Sequence, residues 1–167
     1  MLFIIINLDG DMMPIIITKM KSVKLVKKPW GSEKWIADGK PYFNYALKEI
    51  FLKAGSKSSL QFHRYKEESN YILIGTCLLH KSDLEIDPEK FQKQEYTDEE
   101  LGVFINSVTT EKLGPGDIFH VKPKYIHRVE ALTDLTMIES STTELDDVFR
   151  LKDDTNRGHG KIDSEHS

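Results

Sequence analysis

Four side chains that commonly bind divalent metal ions occur at two places in the chain: Gln61, His63 and Glu68 in one stretch, and His127 in another. Between Ser58 and His63 the side chains alternate along a predicted strand, which places the Gln61 and His63 side chains on the same face. Glu68 begins a second β-rich run after a short charged turn, so a hairpin can bring these three residues together. His127 is the candidate for a further imidazole from a distant strand, and the set would form a mixed nitrogen and oxygen site.

Two motifs that begin with glycine carry these residues, one from Gly55 to Gly75 and one from Gly116 to His127. Their spacing resembles the two motifs of the cupin superfamily, with Gln61 in the place usually held by a first His. In the second motif, Lys122 and Lys124 stand where proline and glycine are usual. The resemblance implies an all-β fold, a cupin-type antiparallel jelly-roll barrel.

Within that superfamily, the chain resembles the cupin domain of type II mannose-6-phosphate isomerases, which is often the C-terminal part of mannose-1-phosphate guanylyltransferases. Six segments carry this resemblance in the same order: Lys28–Gly31, Leu47–Ile50, Ser59–His63, His127–Arg128, Ile138–Glu139 and Asp146–Arg150. The chain departs from the pattern where Tyr65 replaces a second His, Lys66 an Arg and Asn70 a Trp. The resemblance implies an enzyme that interconverts mannose 6-phosphate and fructose 6-phosphate, or acts on a close sugar phosphate.

Such an isomerase needs a group that polarises the carbonyl, a base that moves a proton between C1 and C2, and cations that hold the phosphate. Arg150 matches an Asp-Asp-x-x-Arg segment of the resembled domain, and its planar fork suits a phosphate. Lys48 is predicted to point into the barrel, because Ile50 on the same face looks core-facing. Glu139 or Asp147 would supply the base. We therefore predict Lys48, Arg150 and Glu139 as catalytic residues.

The predicted metal ligands are Gln61, His63, Glu68 and His127. They suit Zn²⁺, Fe²⁺, Mn²⁺, Ni²⁺ or Co²⁺, and the sequence does not choose among these ions. Three alternatives stay open: a barrel mouth whose polar groups bond one another, a non-catalytic cupin that binds a sugar or sugar phosphate, and a metal-dependent oxygenase. Guanylyl transfer is excluded, because the chain has no glycine-rich phosphate loop.

A length of 167 residues fits one domain. We expect N-terminal strands or a leader over 1–27, the cupin domain over 28–152 and a polar C-terminal tail, disordered or loosely draped, over 153–167. Residues 83–110 form a predicted insertion with one short helix, Thr97–Ile105, opened by a capping box. Two tryptophans, Trp30 and Trp35, are predicted to pack in the core rather than to stack on a sugar ring.

Composition limits the partners. A net charge of −4 gives no strongly basic surface for nucleic acid. The apolar run Leu2–Ile6 is too short to cross a membrane and lacks the basic region of a signal peptide. The single cysteine, Cys77, excludes an internal disulfide. We expect a soluble, cytoplasmic homodimer in which the isoleucine-rich N-terminal strands pair across the interface.

Overall fold

The structure is a computed structural model that describes residue 19, residues 23–39 and residues 41–165. These residues form eleven strands and two short helices. The strands are β1 (Lys24–Lys28), β2 (Gly31–Asp38), β3 (Ala46–Leu52), β4 (Leu60–Phe62), β5 (Glu68–Ile74), β6 (Cys77–Glu85), β7 (Thr109–Leu113), β8 (Ile118–Val121), β9 (Tyr125–Ala131), β10 (Leu135–Ser141) and β11 (Phe149–Lys152). The helices are α1 (Pro88–Gln92) and α2 (Asp98–Asn106), and a 3₁₀ turn spans Asp163–Glu165. The predicted N-terminal strands of the dimer interface lie outside the described residues.

The strands form two antiparallel sheets. One has six strands in the order β1-β2-β3-β10-β5-β8, and the other has five in the order β11-β4-β9-β6-β7. The first motif contributes β4 to the smaller sheet and β5 to the larger one, whereas the second motif contributes β8 and β9 to opposite sheets. This two-sheet arrangement confirms the predicted all-β jelly roll. It also explains how residues 60 positions apart in the chain can meet. No helix of the described residues is long and apolar enough to cross a membrane.

Alternation along the strands fills the space between the sheets with apolar side chains. In β3, for example, every second residue from Ala46 to Leu52 is buried. The larger cluster is formed by residues from both sheets: Trp30, Ile50, Leu52, Ile72, Cys77, Leu79, Phe119, Val121, Val129, Ala131, Leu135 and Met137. Full burial of one such side chain stabilises the fold by roughly 1.5–3 kcal/mol. The site is therefore built on rigid, packed strands.

Strand register aligns a row of polar side chains on the inner face of the larger sheet. Glu139 of β10 lies opposite Lys48 of β3 on one side and opposite Asn70 of β5 on the other. The next row inward is apolar, because Met137 lies opposite both Ile50 and Ile72. Side chains that lie directly opposite one another on adjacent strands are neighbours on the same face of the sheet. The barrel thus has a polar mouth above an apolar floor.

The insertion contains the predicted helix and one further helix. The capping box at Thr97 and Glu100 opens α2 as the sequence predicts. The added helix, α1, begins at Pro88, directly after Asp87, a pair of residues that turns often contain. The Asp87 carboxylate accepts hydrogen bonds from the backbone N–H groups of Glu89 and Lys90, and proline occupies the first turn of the helix. Aspartate before proline is also a strong helix-start signal, so the same pair begins a helix here.

Residues 153–165, the C-terminal segment, pack against the barrel, so over these residues the expectation of a disordered or loosely draped tail is wrong. The Asp153 carboxylate accepts hydrogen bonds from the Arg157 guanidinium at 2.6 and 3.0 Å. Arg157 in turn donates to Glu165 at 3.1 Å, and Lys28 of β1 donates to Glu165 at 2.7 Å. Composition misses the contact that ties this segment to β1, because Lys28 and Glu165 lie 137 positions apart in the sequence.

We expect Lys124→Gly to be more stable than Lys124→Ala by about 1 kcal/mol. Lys124 has a φ of 73°, in the left-handed region that favours glycine. Both variants lose the exposed ion pair between Lys124 and Glu85, which contributes little to stability. Only the glycine variant relieves the backbone strain. Urea unfolding of the two variants measures the difference, and equal midpoints would show that this turn is not strained.

Candidate metal centre

The imidazole rings of His63 and His127 lie side by side between the two sheets, with ring centroids 5.1 Å apart. His63 follows β4 and His127 lies in β9, the strand paired with β4. Both side chains are buried. His63 Nδ1 lies 2.5 Å from the carbonyl oxygen of Asp147, and His127 Nδ1 lies 3.2 Å from that of Tyr125. Because a carbonyl can only accept, these partners assign the ring proton to Nδ1 and leave a lone pair on each Nε2.

Both Nε2 atoms are buried and have no hydrogen-bond partner among the described residues. Each faces the Glu68 carboxylate: His63 Nε2 is 3.5 Å from Oε2, and His127 Nε2 is 3.5 Å from Oε1. These atoms lie within 4.8 Å of one another. The two imidazole nitrogens therefore face a carboxylate in a buried space, with no hydrogen-bond donor for either of them within the described residues. A cation with bonds of about 2.0–2.3 Å would accept these lone pairs, so the predicted ligands His63, Glu68 and His127 fit a metal ion.

The protonation states suit metal binding. Burial lowers the pKa of His127 to about 4, so the ring is neutral and its lone pair is available at neutral pH. Burial acts to raise the pKa of Glu68, but the ammonium of Lys66 outweighs burial and holds the pKa well below 4.5. Glu68 is therefore ionised. Two imidazole nitrogens and one carboxylate are a donor set typical of divalent transition metals.

Lys66 is a site residue that the sequence analysis did not select. Its Nζ lies 2.5 Å from Glu68 Oε2 and 3.0 Å from Glu139 Oε1, and the side chain is buried. Burial acts to lower the pKa of this ammonium, but Glu139 and Glu68 outweigh it and raise the pKa above its usual value. Lys66 is thus a fixed positive charge behind Glu68. Its position in the motif, where arginine is usual, was the signal that could have identified it.

Lys48 points into the barrel as predicted, but its charge is already compensated. Its Nζ lies 3.3 Å from Glu33 Oε2 and 3.6 Å from Glu139 Oε1. It also lies 4.6 Å from the centre of the Trp35 ring. Both tryptophans line the cavity, but only Trp30 is buried in the core as predicted; Trp35 is half-buried, so its predicted place in the core is wrong. Burial acts to raise the pKa of Glu33, yet Lys48 and then Lys28 bring it to about 2. Lys48 therefore belongs to a network of buried ion pairs.

Arg150 lines the same cavity, and the C-terminal segment holds it in place. Its Nη1 donates to the carbonyl oxygens of Gly158 and, at 3.1 Å, Gly160. Burial, and then the positive charge of Arg157, lowers the pKa of the Arg150 guanidinium. A second positive charge is therefore close to the predicted phosphate-binding residue.

Two amide side chains complete the surroundings of the candidate metal ligands. Gln61 lines the cavity, and its Oε1 accepts a hydrogen bond from Ser59 Oγ at 2.5 Å. Asn70 donates from Nδ2 to Glu68 Oε1 at 3.2 Å, while its buried Oδ1 has no partner in the described part of the chain. The role of Gln61 as a ligand stays a prediction, and Asn70 offers a second amide oxygen beside the carboxylate.

A single cavity brings all the sequence-predicted site residues together. Its volume is about 100 Å³. The predicted residues that line it are Lys48, Gln61, His63, Glu68, His127, Glu139 and Arg150. The lining residues that were not predicted include Lys28, Glu33, Lys66, Asn70 and Arg157. These residues are mainly the charged partners of the predicted ones.

The stability of the metal-free protein should rise with pH between about pH 4 and 6.5. The pKa of His127 is about 4 in the folded chain and 6.5 as the ordinary value, so the unfolded chain binds more protons in this window. Between pH 7 and pH 5 this residue alone should cost about 2 kcal/mol of the free energy of unfolding. Urea unfolding at both pH values measures the loss. His127→Gln should show a smaller loss, and an unchanged loss would assign it to other groups.

Among the comparisons with known proteins, the one with solved structures supports the fold. No protein-family model and no curated protein matches the sequence. Among solved structures, oxalate decarboxylase from Bacillus subtilis has a TM-score of 0.59 at 14% identity over 80% of this chain and 31% of that one. The capsular polysaccharide assembling protein CapF from Staphylococcus aureus has a TM-score of 0.57 at 13% identity over 78% of this chain and 34% of that one. The chain spans about a third of the length of these proteins. At such identities the likeness shows the fold alone, and the fold of this chain is that of the cupins.

Proposed function

We propose that the chain is a metal-dependent isomerase that interconverts mannose 6-phosphate and fructose 6-phosphate or a close sugar phosphate. The observation that carries the proposal is the convergence of two imidazole lone pairs and one carboxylate in a cavity that also contains several cations. The ordered resemblance from Lys28 to Arg150 supports the choice of substrate class. Each required function, metal binding, anion binding and proton transfer, has candidate residues in this cavity.

His63, Glu68 and His127 would hold a divalent transition metal, with Gln61 as the proposed fourth ligand. Zinc, iron, manganese, nickel and cobalt all suit these donors. The bound metal would supply Lewis acidity to the sugar oxygens. Backbone carbonyls fix the orientation of both imidazoles, and Lys66 fixes that of the carboxylate. Such outer contacts keep the ligands aimed at a single point.

Glu139 is the proposed carboxylate for proton transfer between C1 and C2 of the sugar. It lies on the inner face of β10 beside Asn70, and its Oε1 contacts the ammonium groups of Lys66 and Lys48. These two contacts restrict the side chain and orient it within the cavity. Positioning of a base within hydrogen-bond reach of the transferred proton is the main requirement for this step. Arg150 and Lys48 would help to bind and orient the anionic substrate.

Replacing His63 or His127 with alanine should lower affinity for Zn²⁺ by at least about 100-fold, because each change removes a ligand rather than a supporting contact. Isothermal titration with zinc, together with elemental analysis of the purified protein, measures this loss. His80→Ala is the matched control, because His80 bonds to Thr110 and Glu130 outside the cavity. Full metal retention by the His63→Ala/His127→Ala double variant would place the metal elsewhere.

Metal-loaded protein should convert mannose 6-phosphate to fructose 6-phosphate and lose this activity when a chelator is added. Glu139→Gln should lower kcat by about 10²-fold or more while it changes KM little, because a general base acts mainly on the chemical step. Glu130→Gln, on the outer surface of β9, is the control. Proton exchange at C2, followed by nuclear magnetic resonance in deuterated water, gives an independent measurement. Binding without C2 exchange would favour a non-catalytic sugar-phosphate-binding cupin instead.

A further inference from the structure

Glu165, near the end of the described chain, places its carboxylate between two cations. Its Oε2 lies 2.7 Å from Lys28 Nζ, and its Oε1 lies 3.1 Å from Arg157 Nη1. The Lys28 and Arg157 side chains are each 10% exposed, and that of Glu165 is 9% exposed. Both cations line the same cavity as His63 and His127. A carboxylate thus occupies a shielded position where two positive groups meet.

The Arg157 guanidinium is held in a way that leaves one edge for a ligand. Asp153 accepts from its Nε and Nη2, whereas Nη1 points to Glu165. Asp153 also accepts from the backbone N–H groups of Thr155 and Arg157, at 2.9 and 3.2 Å. Arg157 is therefore fixed to the turn that follows β11, independently of Glu165. Arginine presented in this way suits a phosphate group, which accepts several charge-assisted hydrogen bonds.

The residues after Arg157 cover the cavity. Gly160, Lys161 and Ile162 line it, and its volume of about 100 Å³ is small. Sites that enclose small organic ligands usually measure roughly 300–1,000 Å³. A hexose phosphate therefore requires the cover to withdraw. Withdrawal of residues 158–165 would remove Glu165 from Lys28 and Arg157. Among the described residues, Lys28 would keep only its 3.8 Å pair with Glu33, and Arg157 would keep Asp153 but expose its Nη1 to the cavity.

We propose that Lys28 and Arg157 form an anion subsite for the phosphate monoester of the substrate, and that Glu165 occupies this subsite as an internal substitute when no ligand is bound. The identity of the sugar rests on the proposed function, whereas the anion subsite does not. The phosphate displaces the carboxylate, and the cover opens as it leaves. This subsite adds to the proposed role of Lys48 and Arg150 in orienting the substrate, because Lys28 and Arg157 share a carboxylate that a phosphate can replace.

The test is a titration of inorganic phosphate, and separately of mannose 6-phosphate, into metal-free protein. Glu165→Gln should bind both at least about fivefold more tightly than the wild type, because the amide keeps the size of the side chain but removes its charge. Glu85→Gln is the matched control: Glu85 forms a comparable 2.8 Å pair with Lys124 outside the cavity, and its variant should bind as the wild type does. Adding Lys28→Met to Glu165→Gln should abolish the gain.

Equal phosphate affinities for the wild type and Glu165→Gln would overturn the proposal, and so would a gain that survives Lys28→Met. Lys28→Met alone should weaken phosphate binding, which keeps the test valid if Glu165→Gln proves unstable. Failure of the isomerase assay together with the expected phosphate gain would reject the proposed function and retain the anion subsite. Isomerase activity with no effect of Glu165→Gln on phosphate affinity would retain the proposed function and reject the anion subsite.

Discussion

Charge compensation around the buried Glu68 carboxylate is the constraint on which the rest of the site depends. An ionised carboxylate removed from water is costly unless opposite charges and hydrogen bonds surround it. Here Lys66 contacts one oxygen at 2.5 Å and Asn70 donates to the other at 3.2 Å, while the Nε2 atoms of His63 and His127 each face one oxygen at 3.5 Å. The imidazoles add no donor, since their protons are on Nδ1. A metal ion would satisfy the remaining lone pairs of His63, Glu68 and His127.

The same requirement extends along a chain of alternating charges. Glu139 bridges Lys66 and Lys48, and Glu33 bridges Lys48 and, at 3.8 Å, Lys28. Lys28 then reaches the C-terminal segment through Glu165. Removing one member of such a network leaves its neighbours with uncompensated charge, so the members are energetically coupled. Glu68 at one end of this network and Glu165 at the other are therefore linked by a continuous series of ion pairs. Such a link suits a cavity that opens when an anion binds.

Local sequence patterns predicted the parts of the structure that depend on alternation and motif spacing. Strand alternation put Lys48 on the same face as the buried Ile50, and motif spacing grouped His63, Glu68 and His127. All four polar residues line one cavity. Contacts between residues far apart in the chain could not be predicted in this way. The ion pair between Lys28 and Glu165 joins positions separated by 137 residues, and no periodicity records it. The polar composition of residues 153–165 therefore indicated a disordered or loosely draped tail, although largely buried ion pairs hold these residues against the barrel.

The convergence of His63, Glu68 and His127 on one metal ion is the central claim, and anomalous X-ray diffraction from crystals of the zinc-loaded protein tests it most directly. Data collected on both sides of the zinc absorption edge locate the ion independently of any assumed site. The account predicts one strong anomalous peak about 2.0–2.3 Å from both Nε2 atoms and a Glu68 oxygen. A peak bound by other residues, or zinc-loaded crystals in which both Nε2 atoms bond to protein groups instead, would contradict it.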